Sequence, residues 1–185
     1  MQVMKNCLIF ITIFLSLFTF PNHALACLSI TDDFNFPNPT LNANFKIHPD
    51  INPFTECWSG TLRIRSTKKN WRLVANRNGP NPTSASGDTN DYIRASDITV
   101  EYKIMSSGQT EDEEAILVPP FSSETTLSSI QSGTLIVYGI KKSGNSCSSL
   151  NPNYYRLSKN LCLFRDFVFN PGEYSGQVSY LLIAP

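Results

Sequence analysis

Downstream of residue 26, four cysteines, one histidine and one acidic run could do chemistry. Cys27, Cys57, Cys147 and Cys162 stand 30, 90 and 15 residues apart. An even cysteine count in an exported chain points to disulfides, with three possible connectivities. Closure of sequence neighbours, Cys27–Cys57 and Cys147–Cys162, is the expectation, since a loop of about 15 residues contributes on the order of 3 kcal/mol by restricting the unfolded chain. Zinc is disfavoured because no CxxC spacing occurs and His48 is the one histidine in this stretch. His48 precedes Pro49 at the end of an alternating segment and reads as a rim residue rather than a general base. No GxSxG elbow and no glycine-rich phosphate cradle are found. The run Glu111-Asp112-Glu113-Glu114 lacks the spacing that converges oxygens on calcium and reads as a solvated loop. No catalytic residue, metal or cofactor is expected, and the chain is not read as an enzyme.

The cysteine argument depends on export, and the N-terminus supplies it. Lys5 is the one charged side chain before an apolar run from Cys7 to Phe20, and Ala24-Leu25-Ala26 places small residues where a signal peptidase reads. Residues 1–26 are therefore expected to be a secretory signal, too short and wrongly flanked for a membrane span. Cleavage after Ala26 leaves 159 residues, 27–185, within the size of a single domain. Leu25-Ala26-Cys27 also partly resembles a lipoprotein box, so a lipid on Cys27 is an alternative that competes for the same sulfur.

Of 15 basic and 15 acidic residues, the leader removes only Lys5, leaving 14 against 15. That balance gives no electrostatic case for nucleic acid. Arg63, Arg65, Lys68, Lys69 and Arg72 are the one basic cluster, and the expectation is a solvated rim around a hairpin turn, ahead of a patch for anionic glycan or phosphate.

The positioning elements are strands. Leu41, Ala43, Phe45 and Ile47 alternate with polar partners, as do Ile98, Val100, Tyr102 and Ile104. This period of two marks half-buried strands. Residues 58–66 and 70–76 flank a polar turn and predict a hairpin, with Leu62, Ile64, Trp71, Leu73 and Ala75 facing the core. Residues 77–91 predict a long surface loop or irregular edge, and 106–114 a second loop. Short strands are predicted at 115–118 and 125–129, a central strand at 133–140, and two more at 154–155 and 161–169. With no amphipathic helix of eleven residues, the chain predicts an all-β antiparallel sandwich.

The C-terminal segment carries the clearest pattern. Tyr174, Gly176, Val178, Tyr180 and Leu182 fall on one side of an extended strand, and Ser175, Gln177, Ser179, Leu181 and Ile183 on the other, with Pro171-Gly172 as the turn before it. Phe167-Val-Phe-Asn-Pro-Gly-Glu-Tyr174, the strand Tyr174 to Leu182, and the early Cys27 and Cys57 together resemble bacterial pilus subunits. The likeness is to the spore-coat-U-like, archaic chaperone–usher and alpha-fimbrial types. It covers about thirty residues well and the middle only in strand pattern.

That resemblance implies an immunoglobulin-like sandwich lacking its last strand, a Cys27–Cys57 disulfide, and a groove bordered by Tyr174, Gly176, Val178, Tyr180 and Leu182. A periplasmic chaperone, an usher and neighbouring subunits are the implied partners, through β-strand addition. The implied location is the periplasm in transit, then the cell surface or fimbrium. After Cys27 only Leu28, Ile30, Phe34 and Phe36 could serve as a donor arm, which fits a minor or tip subunit better than a polymerising one. The competing expectation is a non-polymerising surface module for cell adhesion or carbohydrate, using Tyr92, Tyr154, Tyr155 and the Asn-rich 76–90 segment.

Overall fold

The computed structural model describes residues 27–31, 40–47, 57–88, 90–105, 115–148, 150, 152–163, 170 and 172–185. Residues 1–26, expected as a secretory signal, His48, the acidic run 111–114 and Phe164, Phe167 and Phe169 lie outside the described residues.

Among the described residues, ten strands form two antiparallel sheets packed face to face. They are β1 (Leu28–Thr31), β2 (Thr40–Ile47), β3 (Cys57–Ser66), β4 (Trp71–Ser84), β5 (Ile98–Met105), β6 (Ala115–Leu117), β7 (Thr125–Thr126), β8 (Thr134–Gly139), β9 (Tyr155–Leu163) and β10 (Tyr174–Ile183). Sheet A runs β1-β3-β9-β5-β7 and sheet B runs β2-β10-β4-β8-β6. The fold is the expected immunoglobulin-like sandwich. It carries a tyrosine corner: the Tyr174 hydroxyl, at the start of β10, lies 3.1 Å from the carbonyl oxygen of Asn170 four residues upstream.

Alternation decides the faces. Leu41, Ala43, Phe45 and Ile47 of β2, Leu62 and Ile64 of β3, and Ile98, Val100 and Tyr102 of β5 are all buried in one core. Burying one face of each sheet is the main apolar gain of a sandwich, whose two inner faces interdigitate.

Pairing departs from the expected hairpin. β3 and β4 do face the core with the predicted residues, but from opposite sheets: β3 pairs with β1 and β9, whereas β4 pairs with β10 and β8. The short connection 67–70, with Asn70 at φ 55°, carries the chain across the sandwich instead of folding it back in plane. Asn is among the few residues that tolerate this left-handed conformation. The segment 77–84, expected as a surface loop or irregular edge, continues β4 along β10: Arg77 and Asn78 keep the register, a bulge follows, and pairing resumes at Thr83 and Ser84. The two short strands expected at 154–155 and 161–169 are one strand, β9, within the described residues.

The disulfides also differ from expectation: the bonds are Cys27–Cys147 and Cys57–Cys162, spanning 120 and 105 residues. Cys57 and Cys162 are direct register partners across β3 and β9. Cys147 lies on the connection after β8, which folds back over the end of β3, where Ser143 N donates to the Ser66 carbonyl at 2.9 Å. β1 brings Cys27 to that same end, and Thr67 N donates to the Cys27 carbonyl at 3.1 Å. Local loop closure describes the unfolded chain, and sheet register overrides it. Two such bonds place the chain in an oxidising environment.

One close contact shows how tightly sheet B is built. Gly139 pairs with Trp71, and a Cβ there would sit 2.1 Å from Trp71 Cε2. The indole is fixed by its Nε1 donating to the Lys141 carbonyl at 2.9 Å and by the Tyr155 ring 5.0 Å away. Gly139→Ala should therefore cost at least about 1–3 kcal/mol through overpacking, read by denaturant unfolding. A change below 0.5 kcal/mol, the size of an ordinary surface substitution, would show that the indole moves freely.

Candidate functional site

The predicted groove face of β10 is buried as expected: Tyr174, Val178, Tyr180 and Leu182 are each 1–2 % exposed. Gly176, half-buried, lies on the same face, opposite Phe45 of β2. A Cβ on Gly176 would fall 2.4 Å from Phe45 Cζ, so the glycine makes room for the ring. The strand itself is not at an edge. β2 pairs with it from Tyr174↔Ile47 to Leu181↔Thr40, and β4 pairs with its other side. An open groove along β10, implied by the resemblance, is thus replaced by a seam filled by the chain's own β2. β2 forms the edge of sheet B, with β10 as its neighbour.

Beneath the seam lies a polar cluster that sequence reasoning missed. The Tyr102 and Tyr180 hydroxyls are hydrogen-bonded across the sandwich at 2.8 Å, and burial raises the pKa of both phenols. Lys159 is 2 % exposed, with Nζ 4.6 Å from the Trp58 ring centroid and 5.1 Å from that of Tyr180. Aromatic faces attract a desolvated ammonium, which helps a lysine occupy a core position. Gly60 faces Lys159 in register, and a Cβ on it would approach Lys159 Cε to 2.9 Å. The available signal was Lys159 on the apolar side of Tyr155, Leu157, Leu161 and Leu163.

At the mouth of the seam, the Tyr174 hydroxyl donates to Asp91 Oδ1 at 2.6 Å, and Asn170 Nδ2 donates to the same oxygen at 3.1 Å. The Tyr174 hydrogen bond is the largest cause holding Asp91 below the usual carboxylate range. Burial first, then Asp91, pushes the Tyr174 phenol up to about 12. A depressed carboxylate contributes stability that is present above about pH 4 and lost as pH falls through its folded value. Tyr174→Phe is therefore expected to flatten the acid limb of the stability curve, with the gap to wild type narrowing below about pH 4. A gap that stays constant from pH 7 to pH 2 would sink this assignment.

The other sequence candidates are dispersed. Tyr155 is buried against Trp71, and Tyr154 lies under Arg65 and Arg63, whose guanidinium carbons are 4.9 and 5.6 Å from its ring centroid. Neither is an exposed stacking platform, while Tyr92 is 41 % exposed and stands apart from them. Arg65 is not a rim residue. It is 2 % exposed, donates from Nη1 to Thr31 Oγ1 at 3.3 Å, and has its pKa lowered by burial first and by Arg63 second. The Cys27 sulfur, expected in the alternative reading to carry a lipid, is bonded to Cys147 and so cannot form that thioether. Among the described residues no group of three or more His, Cys, Asp or Glu could hold a metal ion.

The outer face of sheet B divides along its strands. Toward one end it carries the exposed apolar side chains Ile116, Ile140 and Ile183. Toward the other it carries a hydrogen-bonded web of amides and hydroxyls from β2, β10 and β4. No protein family, curated protein or solved structure matches this chain.

Proposed function

We propose that the chain is an exported structural or assembly subunit of a surface pilus, passing through the periplasm to the cell surface or fimbrium. The observation that carries this reading is the seam between β2 and β10. In the pilus subunits that the C-terminal strand resembles, the last strand accepts a donated strand with alternating apolar residues. Here β2 occupies such a place, antiparallel to β10, with Leu41, Ala43, Phe45 and Ile47 in the core. An edge strand with this pattern is an element that strand addition by a chaperone or a neighbouring subunit could displace. The disulfides fit the export that this function requires.

The test weakens β2 and offers a replacement. Phe45→Ser with Ile47→Ser should loosen β2 and increase capture of a synthetic peptide spanning residues 40–47, read by fluorescence anisotropy. The same variant should be retained by a periplasmic pilus chaperone more strongly than wild type. A loosened protein that takes up neither peptide nor chaperone would remove the basis for this function, and gene deletion without loss of surface fibres would do the same.

A further inference from the structure

We propose that the cleft where β4 swings away from β10 is a binding site for a neutral saccharide. The register of β10 with β4 runs without a break from Ile183↔Arg72 to Gln177↔Asn78, then resumes at Ser175↔Thr83. Gly79, Pro80, Asn81 and Pro82 therefore stand opposite Gly176 alone. Such bulges re-aim side chains and often border functional sites.

This one is held in place rather than left loose. Gly79 takes φ +83°, a left-handed value that suits glycine. Each proline fixes its own φ. Asn81 Oδ1 accepts from Ala95 N at 3.0 Å, and the Pro82 carbonyl accepts from Ile93 N at 3.1 Å.

The displaced segment opens a cleft of about 570 Å³, within the range of small-ligand sites. Gly176 and Pro80 give it apolar lining, with the buried Phe45 ring behind Gly176, and Asn44, Asn78 and Gln177 give it amides. Those amides are pre-positioned by one another. Gln177 Nε2 donates to Asn44 Oδ1 at 2.7 Å, Asn78 Nδ2 donates to Gln177 Oε1, and Ser179 Oγ lies 3.3 Å from Asn78 Oδ1. A carboxamide has two N–H donors and two acceptor lone pairs, so each retains capacity for a ligand after these bonds.

Charge selects the ligand class. Lys46, the cation lining the cleft, is paired with Glu173 at 2.7 Å, so the wall offers no net charge to an anion. Paired donors and acceptors beside an apolar strip match a sugar, whose hydroxyls both donate and accept and whose C–H face is apolar. The site shares Asn44 of β2 with the strand-addition reading, but sugar binding needs β2 in place, so titration of the wild-type monomer tests it separately from strand displacement.

The test is a ¹H–¹⁵N NMR titration of the disulfide-intact protein with glucose, galactose, mannose, N-acetylglucosamine and their short oligomers. At least one neutral sugar should move the side-chain amide signals of Asn44, Asn78 and Gln177 and the backbone signals of Gly79 and Gly176, with a saturable curve. Asn78→Ala with Gln177→Ala should weaken that binding at least tenfold while leaving the remaining spectrum folded. Ile116→Ser, at the far end of the same face, should leave it unchanged. Glucuronate should bind no better than glucose. Absence of saturable shifts from every sugar would overturn the proposal. So would an unchanged dissociation constant in the double variant, or shifts confined to other surfaces.

Discussion

Tyr180→Ala is expected to lower the unfolding free energy by about 3–5 kcal/mol, the range for removing a buried aromatic side chain. Tyr180 is 1 % exposed, its hydroxyl meets that of Tyr102 at 2.8 Å, and its ring lies 5.1 Å from Lys159 Nζ. Truncation would empty the space between the sheets, leave a buried hydroxyl without its partner and strip one aromatic face from a buried cation. Tyr180→Phe separates these effects. It keeps the ring and should cost about 1–3 kcal/mol, because the Tyr102 hydroxyl loses its bond while staying buried. Tyr102→Phe added to Tyr180→Phe should then cost less than the sum of the single changes, since both polar groups are gone. Strict additivity in denaturant unfolding would mean that the two hydroxyls do not interact. Gln177→Ser, on the outer face of the same strand, is expected to cost under about 1 kcal/mol, as exposed side-chain hydrogen bonds contribute little. Equal losses at Tyr180 and Gln177 would contradict the register of β10, since a one-residue slip exchanges the two faces.

The second large effect concerns the disulfides. Digestion without reduction should yield peptides linked as Cys27–Cys147 and Cys57–Cys162, resolved by mass spectrometry. Replacing both members of either pair with serine should cost about 2–5 kcal/mol, because closing a loop of roughly 100 residues strongly restricts the unfolded chain. The variants should differ in what else they lose. Removal of Cys57–Cys162 acts between two strands already paired along β3 and β9. Removal of Cys27–Cys147 frees the connection that covers the end of β3, and hydrogen exchange should rise at Ser66 and Ser143, whose amides bond each other's oxygens there. Recovery of Cys27–Cys57 peptides from folded protein would overturn the topology of sheet A at β1.

The sequence alone determined the faces of most strands. In β2, β5 and β10 the residues that alternate in the sequence are those that alternate in burial, because side chains on an extended chain must point to opposite sides. What each strand pairs with was not readable from alternation, which is the same whether a neighbour lies in plane or across the core. Hence β3 and β4 show the correct buried residues but belong to opposite sheets, and β10, which the resemblance implied would border an open groove, lies inside sheet B. The cysteine pairs were equally hidden. Spacing reports the entropy of the unfolded loop, whereas Cys57 meets Cys162 because β3 and β9 are neighbours in register. Lys159 and Arg65 broke the pattern for a related reason. Each is a charged side chain buried beside aromatic rings supplied by distant segments, Trp58 and Tyr180 for one and Tyr154 for the other. The cleft beside Gly176 depends on a register shift between two strands about a hundred residues apart, so only the assembled sheet creates it.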